Sequence, residues 1–224
     1  NHLLKPNGVI AFEEPYLGDM IENTAYDQIY DEHVYIFSAR SVQNIFKKYD
    51  FELIDVKPQS THGGSMRYVL ARNGKQPISK NVEKQFDYEE KKELHLKATY
   101  DLFSDKCESS RTDLVKILQQ QKGAGRRIVG YAATSKSTTV LNYCGIGPDL
   151  IEFISDTTPI KQGKYSPGMH IPVLSYETLR NGYPDGLLLF AWNHKAEIMH
   201  KESSFMQAGG EWITYIPKIN IIRK

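Results

Sequence analysis

The sequence has little of several things that would declare a function outright. Two cysteines occur in 224 residues, Cys107 and Cys144, in different segments. That excludes a disulfide framework and a four-thiolate zinc site, and both are expected to be packed thiols. Charge of one sign is also missing, with 28 Lys and Arg against 27 Asp and Glu and a formal charge of +1. No bulk field then draws the chain to a nucleic-acid polymer or an anionic membrane, so any anion must be held by a local arrangement. The longest apolar runs, such as residues 186–192, fall far short of the roughly 20 residues of a membrane helix, and the start carries no signal-peptide pattern. The expectation is a cytoplasmic protein. Glycine is missing where a dinucleotide fingerprint needs it. Gly123-Ala-Gly-Arg-Arg-Ile128 precedes a strand instead of following one and has Ile128 at the third glycine position, so it is a turn.

What is present suffices for a packed core. The hydrophobic fraction is 40%, and the length allows one large domain or two smaller ones. The chain opens without Met, on a helix end, a Pro/Gly turn at 6–8 and a buried strand at 9–12 that has no visible partner. The sequence is therefore expected to be the C-terminal part of a longer protein. A helix is expected over 39–49, where Val42, Ile45 and Phe46 fall at helical spacing. An antiparallel pair is expected from the alternating run that starts at Phe51 and from residues 66–71, beyond the Gly63-Gly64 turn. Residues 79–121 are strongly charged, with Leu94, Ala98 and Leu102 on one helical line and Leu114 and Leu118 on another, which predicts one or two long connecting helices.

From Arg126 the pattern changes to strand 127–132, helix 136–143, strand 150–155, a Pro/Gly-rich loop, 171–174, strand 186–191, helix 195–208 and strand 211–216. Apolar strands alternating with helices predict a parallel sheet with helices on both faces. Ligands of such sheets sit beyond the C-terminal strand ends, where strand order reverses. The loop after the first strand, Ala132-Ala-Thr-Ser-Lys-Ser-Thr-Thr139, has small residues and hydroxyls around Lys136 at a helix N-terminus. It suits a diphosphate, with Lys136, Ser135, Ser137 and Thr138 as donors, and equally suits a plain Ser/Thr helix cap. Asp156 ends the second strand, where α/β nucleotide binders place a carboxylate for ribose hydroxyls. Lys161 and Lys164 follow in a loop pinned by Pro and Gly. Trp192 and Asn193 come after the fourth strand, and Trp192 fits a core position and a ligand wall alike.

Toward the N-terminus, Tyr26-Asp-Gln-Ile-Tyr-Asp-Glu-His-Val-Tyr35 gathers tyrosines, acids and a histidine. A helix there would put Tyr30 and His33 on one face, and an extended chain would pair His33 with Asp31. A neutral imidazole is the side chain best matched to taking a proton near pH 7.

Five strings carry a resemblance: Ile29-Tyr-Asp-Glu-His33, Thr61-His-Gly-Gly-Ser-Met-Arg67, Gly130-Tyr-Ala-Ala-Thr-Ser-Lys-Ser-Thr-Thr-Val-Leu-Asn-Tyr-Cys-Gly-Ile146, Lys161-Gln-Gly-Lys-Tyr-Ser-Pro-Gly168 and Ala191-Trp-Asn193. In kind and order they resemble the sugar C-methyltransferases of deoxysugar and polysaccharide biosynthesis, over nearly the whole chain. The resemblance implies that residues 1–72 are the last strands of a class I methyltransferase domain and 73–124 a helical connector. Residues 125–224 would form a Rossmann-like C-terminal domain that binds a nucleotide-linked sugar. The implied donor is S-adenosylmethionine, held mostly outside this chain, and zinc is expected only in an N-terminal module that the chain lacks. The loop 132–137 departs from the family's Gly-Ala-Pro-Ala-Lys-Gly-Asn, keeping Lys136 but placing Ser137 and Thr138 after it.

By the same resemblance His33 is the catalytic base, supported by Tyr30 and Glu32. Lys136, Ser137, Asn142, Asp156, Lys161, Lys164 and Arg67 would hold the nucleotide sugar, although Asn142 fits an interior helix amide as well. A methyl sulfonium needs an electron-rich carbon, and a sugar carbon becomes one by losing a proton beside a ketone, so the substrate would be a keto sugar. Two alternatives stand beside this: a non-catalytic nucleotide-sugar-binding module and a nicotinamide-dependent oxidoreductase. The missing glycine fingerprint after the first strand argues against the second.

Overall fold

The computed structural model describes residues 4–224. The helix end expected at the start of the chain lies outside the described residues. The chain folds as two units, one of Asn1–Glu22 with His33–Ser104 and one of Asn23–Glu32 with Asp105–Lys224.

The first unit contains β1 (Val9–Pro15), α1 (Leu17–Asn23, which ends one residue into the second unit), α2 (Ala39–Lys47), β2 (Phe51–Gln59), β3 (Ser65–Arg72) and α3 (Lys80–Lys91). Its sheet runs β1-β3-β2, antiparallel throughout. β1 has no partner near it in the sequence because its partner, β3, lies 50 to 62 residues downstream; Val9 faces Ala71 and Pro15 faces Ser65. Leu53, Val56, Met66, Tyr68 and Leu70 supply the buried face, against which Val42 of α2 and Val82 of α3 pack. The N-terminus of α2 is capped twice. Ser38 and Ser41 form a capping box, and the buried Glu89 of α3 accepts from the N–H groups of Ala39 (2.6 Å) and Arg40 (3.0 Å) and from the Tyr16 hydroxyl (3.1 Å). A carboxylate there meets both orphan donors and the positive end of the helix dipole.

The long helix α4 (Lys97–Gly123) leads to β4 (Ile128–Tyr131), α5 (Ser135–Cys144), β5 (Ile154–Ser155), β6 (Val173–Leu174), α6 (Tyr176–Asn181), β7 (Gly186–Leu189), α7 (Lys195–Lys201), α8 (Ser203–Gln207), β8 (Glu211–Thr214) and β9 (Asn220–Ile222). The six-stranded sheet has the order β6-β5-β4-β7-β8-β9, parallel except for β9. The α/β architecture with a mostly parallel sheet is as expected, and three details differ. The strand expected over 150–155 keeps ladder pairing only at Ile154–Ser155, although Leu150, Ile151 and Phe153 are buried. An apolar run reports burial, and burial does not require strand geometry. The helix expected over 195–208 breaks at Glu202, whose buried carboxylate accepts from Tyr131 and Tyr176 at 2.8 Å each. The short helix α6 and the antiparallel β9 had no expectation. From β4 the chain builds outward through β5 and β6, then returns to place β7 on the other flank of β4. The order therefore reverses between β4 and β7, and the loops after these two strands flank the crevice where such sheets take ligands.

Candidate functional site

In the second unit, the loop between β4 and α5 makes its turn without glycine. Ala132 takes φ +73°, a left-handed conformation uncommon for a residue with a side chain. Thr134 then caps α5 in a capping box with Ser137. The helix-cap pattern seen in the sequence is thus realised, and the same first turn opens onto a cleft of about 400 Å³. Ala133, Thr134, Ser135, Ser137 and Thr138 line one wall, and Ile160, Lys161, Lys164, Tyr165 and Pro167 the other. Ser137, Lys161 and Lys164 are therefore brought together.

Other expected residues take different posts. Asp156 braces the loop: its Oδ2 accepts from the Ala133 N–H (2.7 Å) and its Oδ1 from the Thr158 N–H (2.7 Å). Burial alone would push this carboxyl up, but the Thr158 and Ala133 bonds and the Lys161 ammonium (3.5 Å) hold it below the usual carboxylate range. With those lone pairs engaged inside the loop, Asp156 serves as a bracket for the cleft wall. Lys161 also donates to the Ala133 carbonyl at 2.6 Å, which ties the two walls together, while Lys164 is exposed. Asn142, an exposed residue, donates to the Thr138 and Pro167 carbonyls, which fixes the loop end to α5.

Lys136 is not in the cleft lining. It is buried, its ammonium lies 4.5 Å from the centre of the Trp192 ring, and it donates to Asn193 Oδ1 at 3.3 Å. Burial lowers its pKa against the opposing pull of Asp27. Asp27, which no sequence pattern singled out, is fully buried on a 3-10 turn, Tyr26–Gln28. Its Oδ2 accepts from Trp192 Nε1 (2.6 Å) and from the Tyr215 hydroxyl (2.7 Å), and burial pushes its carboxyl up in spite of those bonds and the nearby Lys136. Its segment is rich in acids and aromatics, but nothing local marks Asp27 among them.

Residues 29–33 form turns and bends, neither helix nor strand, so neither of the expected facing arrangements applies. Tyr30 is half-buried and Glu32 exposed, both in the second unit. In the first unit, His33 Nδ1 lies 3.1 Å from Glu14 Oε2 on β1, with the His side chain 14% exposed. A carboxylate only accepts, so Nδ1 carries the proton in this pair and Nε2 is the basic nitrogen. The His62 ring stands 6.4 Å away at 69°. Glu14 was missed because nothing in a strand sequence says which later side chain it will meet. Arg67, on β3, is an exposed ion-pair partner of Glu13 at 3.0 Å.

Among the described residues no group of three or more His, Cys, Asp or Glu side chains could hold a metal ion, and no helix is long and apolar enough to cross a membrane. The described residues do not fit S-adenosylmethionine either. The loop after β4 offers no glycine cradle, and the pocket beside it, of about 210 Å³ and lined by Tyr131, Asp156, Tyr176 and Glu197, is smaller than small-molecule sites usually are.

Comparison with known proteins supplies the context. The family model described as C-methyltransferase C-terminal domain matches residues 60–217. The C-methyltransferase NovU of Streptomyces niveus is 34% identical over 221 residues, which cover 98% of this chain and 53% of that protein. The chain thus spans about half the length of the curated relative it matches.

Proposed function

Because the chain belongs to the sugar C-methyltransferase family, we propose that it is the substrate-handling part of an enzyme that methylates a carbon of a nucleotide-linked keto sugar, with S-adenosylmethionine as methyl donor. The observation that carries this is the pairing of His33 Nδ1 with Glu14 Oε2 at 3.1 Å, which prepares Nε2 as a general base. The C–H bond beside the ketone breaks, its proton passes to Nε2, and the electron pair moves into the enolate. Glu14 then faces an imidazolium, whose charge it stabilises. Tyr30 and Glu32 support the base or the developing oxyanion.

In the second unit the cleft at the start of α5 takes the diphosphate. The supporting features are the helix N-terminus in the lining, the exposed Lys164 ammonium and Lys161 at the rim. Tyr165 and Ile160, 65% and 72% exposed, offer apolar surface beside it for the rest of the nucleotide. The missing glycine fingerprint after β4 supports this assignment over a dinucleotide-dependent oxidoreductase. The absent sheet-edge glycines and the absence of a strong bulk charge fit a small anionic substrate held locally.

The test is proton exchange. With the methyl donor withheld, the full-length protein should wash solvent deuterium into the carbon beside the ketone, and His33→Asn should lose that exchange by about two to four powers of ten. Substrate affinity should persist, since a base acts mainly in the transition state. Undiminished exchange in His33→Asn would move the base elsewhere.

A further inference from the structure

The crevice at the strand-order reversal of a parallel α/β sheet is where ligands normally sit. At that edge of the sheet the chain's own Asp27 is bound by side chains that follow β7 and β8. The Asp27 carboxylate is reached by Trp192, just after β7, and by Tyr215, just after β8, and it lies close enough to Lys136, in the first turn of α5 after β4, for each to shift the other's titration. Side chains from three places at the C-terminal edge of the sheet therefore converge on one buried carboxyl group. The segment that carries it is fastened at two further points. The Tyr26 hydroxyl lies 3.4 Å from Ser110 Oγ and 3.8 Å from Cys144 Sγ, and Thr139 donates to the Ile29 carbonyl at 3.3 Å. All of these groups belong to the second unit.

We propose that Asp27 is a positioning residue: bound by Trp192 and Tyr215, it locks the turn that presents Tyr30 and Glu32. The inference rests on the function proposed above only in taking Tyr30 and Glu32 as support for the base. Two features argue for a lock over ordinary core filling. A fully buried carboxylate is expensive to leave in a core unless its bonds define an arrangement, and here both short bonds go to Oδ2 while Oδ1 is buried with no hydrogen-bond partner among the described residues. The donors also come from side chains of limited freedom: a Trp indole under the Lys136 ammonium and a fully buried Tyr. Residues only three and five positions beyond such an anchor have little room to wander.

The experiment compares Asp27→Ala with Asp27→Asn, whose amide oxygen can still accept from Trp192 and Tyr215. In this chain, hydrogen exchange should quicken at least tenfold over residues 24–30 in Asp27→Ala while β4 and β7 keep their protection, and Asp27→Asn should restore most of the loss. Trp192 reports the same event: the emission change caused by Asp27→Ala should vanish in a Trp192→Phe background, leaving Trp212 as the remaining tryptophan. In the full-length protein, turnover of the keto-sugar substrate by Asp27→Ala should fall about tenfold or more, with KM and diphosphate affinity within about twofold of wild type. Unchanged exchange over 24–30, or exchange that quickens uniformly across the second unit, overturns the proposal. So does unaltered turnover in Asp27→Ala. If the wild-type protein turns over no keto sugar, the proposed function fails, and the exchange and fluorescence results alone decide whether Asp27 is the lock.

Discussion

Replacing Glu14 by Gln isolates what the partner of the base contributes. The change keeps the size and shape of the side chain and removes its charge, so β1 and its pairing with β3 should be undisturbed. Two consequences follow at His33. A hydrogen bond to a charged group contributes about 1.5–3 kcal/mol. The Glu14 side chain is 35% exposed, so solvent screening places the loss at the lower end, about 1.5–2 kcal/mol. At 1.36 kcal/mol per power of ten, the rate of proton removal should fall about 10- to 30-fold. The amide can in addition donate its own N–H to Nδ1, which favours the tautomer with the proton on Nε2 and withdraws the base from use. The assay is the incorporation of solvent deuterium beside the ketone with donor withheld, followed by mass or proton resonance, with the thermal midpoint as a control for folding. Loss should track the chemical step and leave substrate affinity in place. Exchange within about threefold of wild type would refute the reasoning, because a base that ignores its carboxylate is not oriented or charged by it.

Three other perturbations test separate parts of the molecule. Glu89→Ala strips α2 of an interior cap, removing three hydrogen bonds and leaving two helix N–H groups without that acceptor; denaturant unfolding should show a loss of about 3–4 kcal/mol, and a loss under about 1 kcal/mol would remove Glu89 from the list of supports. Lys164→Ala should weaken a nucleoside diphosphate about 3- to 10-fold by calorimetry, in a salt-sensitive way, without affecting the free nucleoside; equal loss for both ligands would place the cation away from the phosphates. Asp156 has a folded pKa below its unfolded value, so its contribution to stability is present above about pH 4 and disappears as pH falls through the folded value. Asp156→Asn should therefore destabilise at pH 7 and converge with wild type toward pH 2, and a constant difference across that range would contradict the assignment.

Local patterns made much of this architecture legible in the sequence. The helix α2 announced itself through Val42, Ile45 and Phe46, and the parallel sheet through apolar strands spaced by helices, because both signals are written in neighbouring residues. The cleft was legible for the same reason, since Ser137, Lys161 and Lys164 sit in loops at predictable strand ends. What escaped depends on distant pairs. Lys136 and Asp156 stand in the expected loops, but the neighbours they meet, Trp192 and Asn193 for the first and the Ala133 and Thr158 amides for the second, could not be read from local spacing. Glu14 and Asp27 carry no local mark at all. Their partners are 19 and as many as 188 residues away, beyond the reach of any spacing rule.

The way the two units share the chain bears on how the protein is made and how it can be divided. Residues 23–32 are synthesised early yet belong to the later unit, so the bond from Asp27 to Tyr215 must wait until almost two hundred further residues have been added. Contacts of such span close slowly because the loop entropy must be overcome first. During synthesis the first unit can gather its three strands while the 23–32 segment stays unengaged. A cut anywhere between 33 and 104 separates the second unit from its own anchor. Expressing the downstream piece alone leaves Trp192 and Lys136 facing a hole shaped for Asp27, and grafting it onto a different upstream half succeeds only if that half brings a turn that fills the same space.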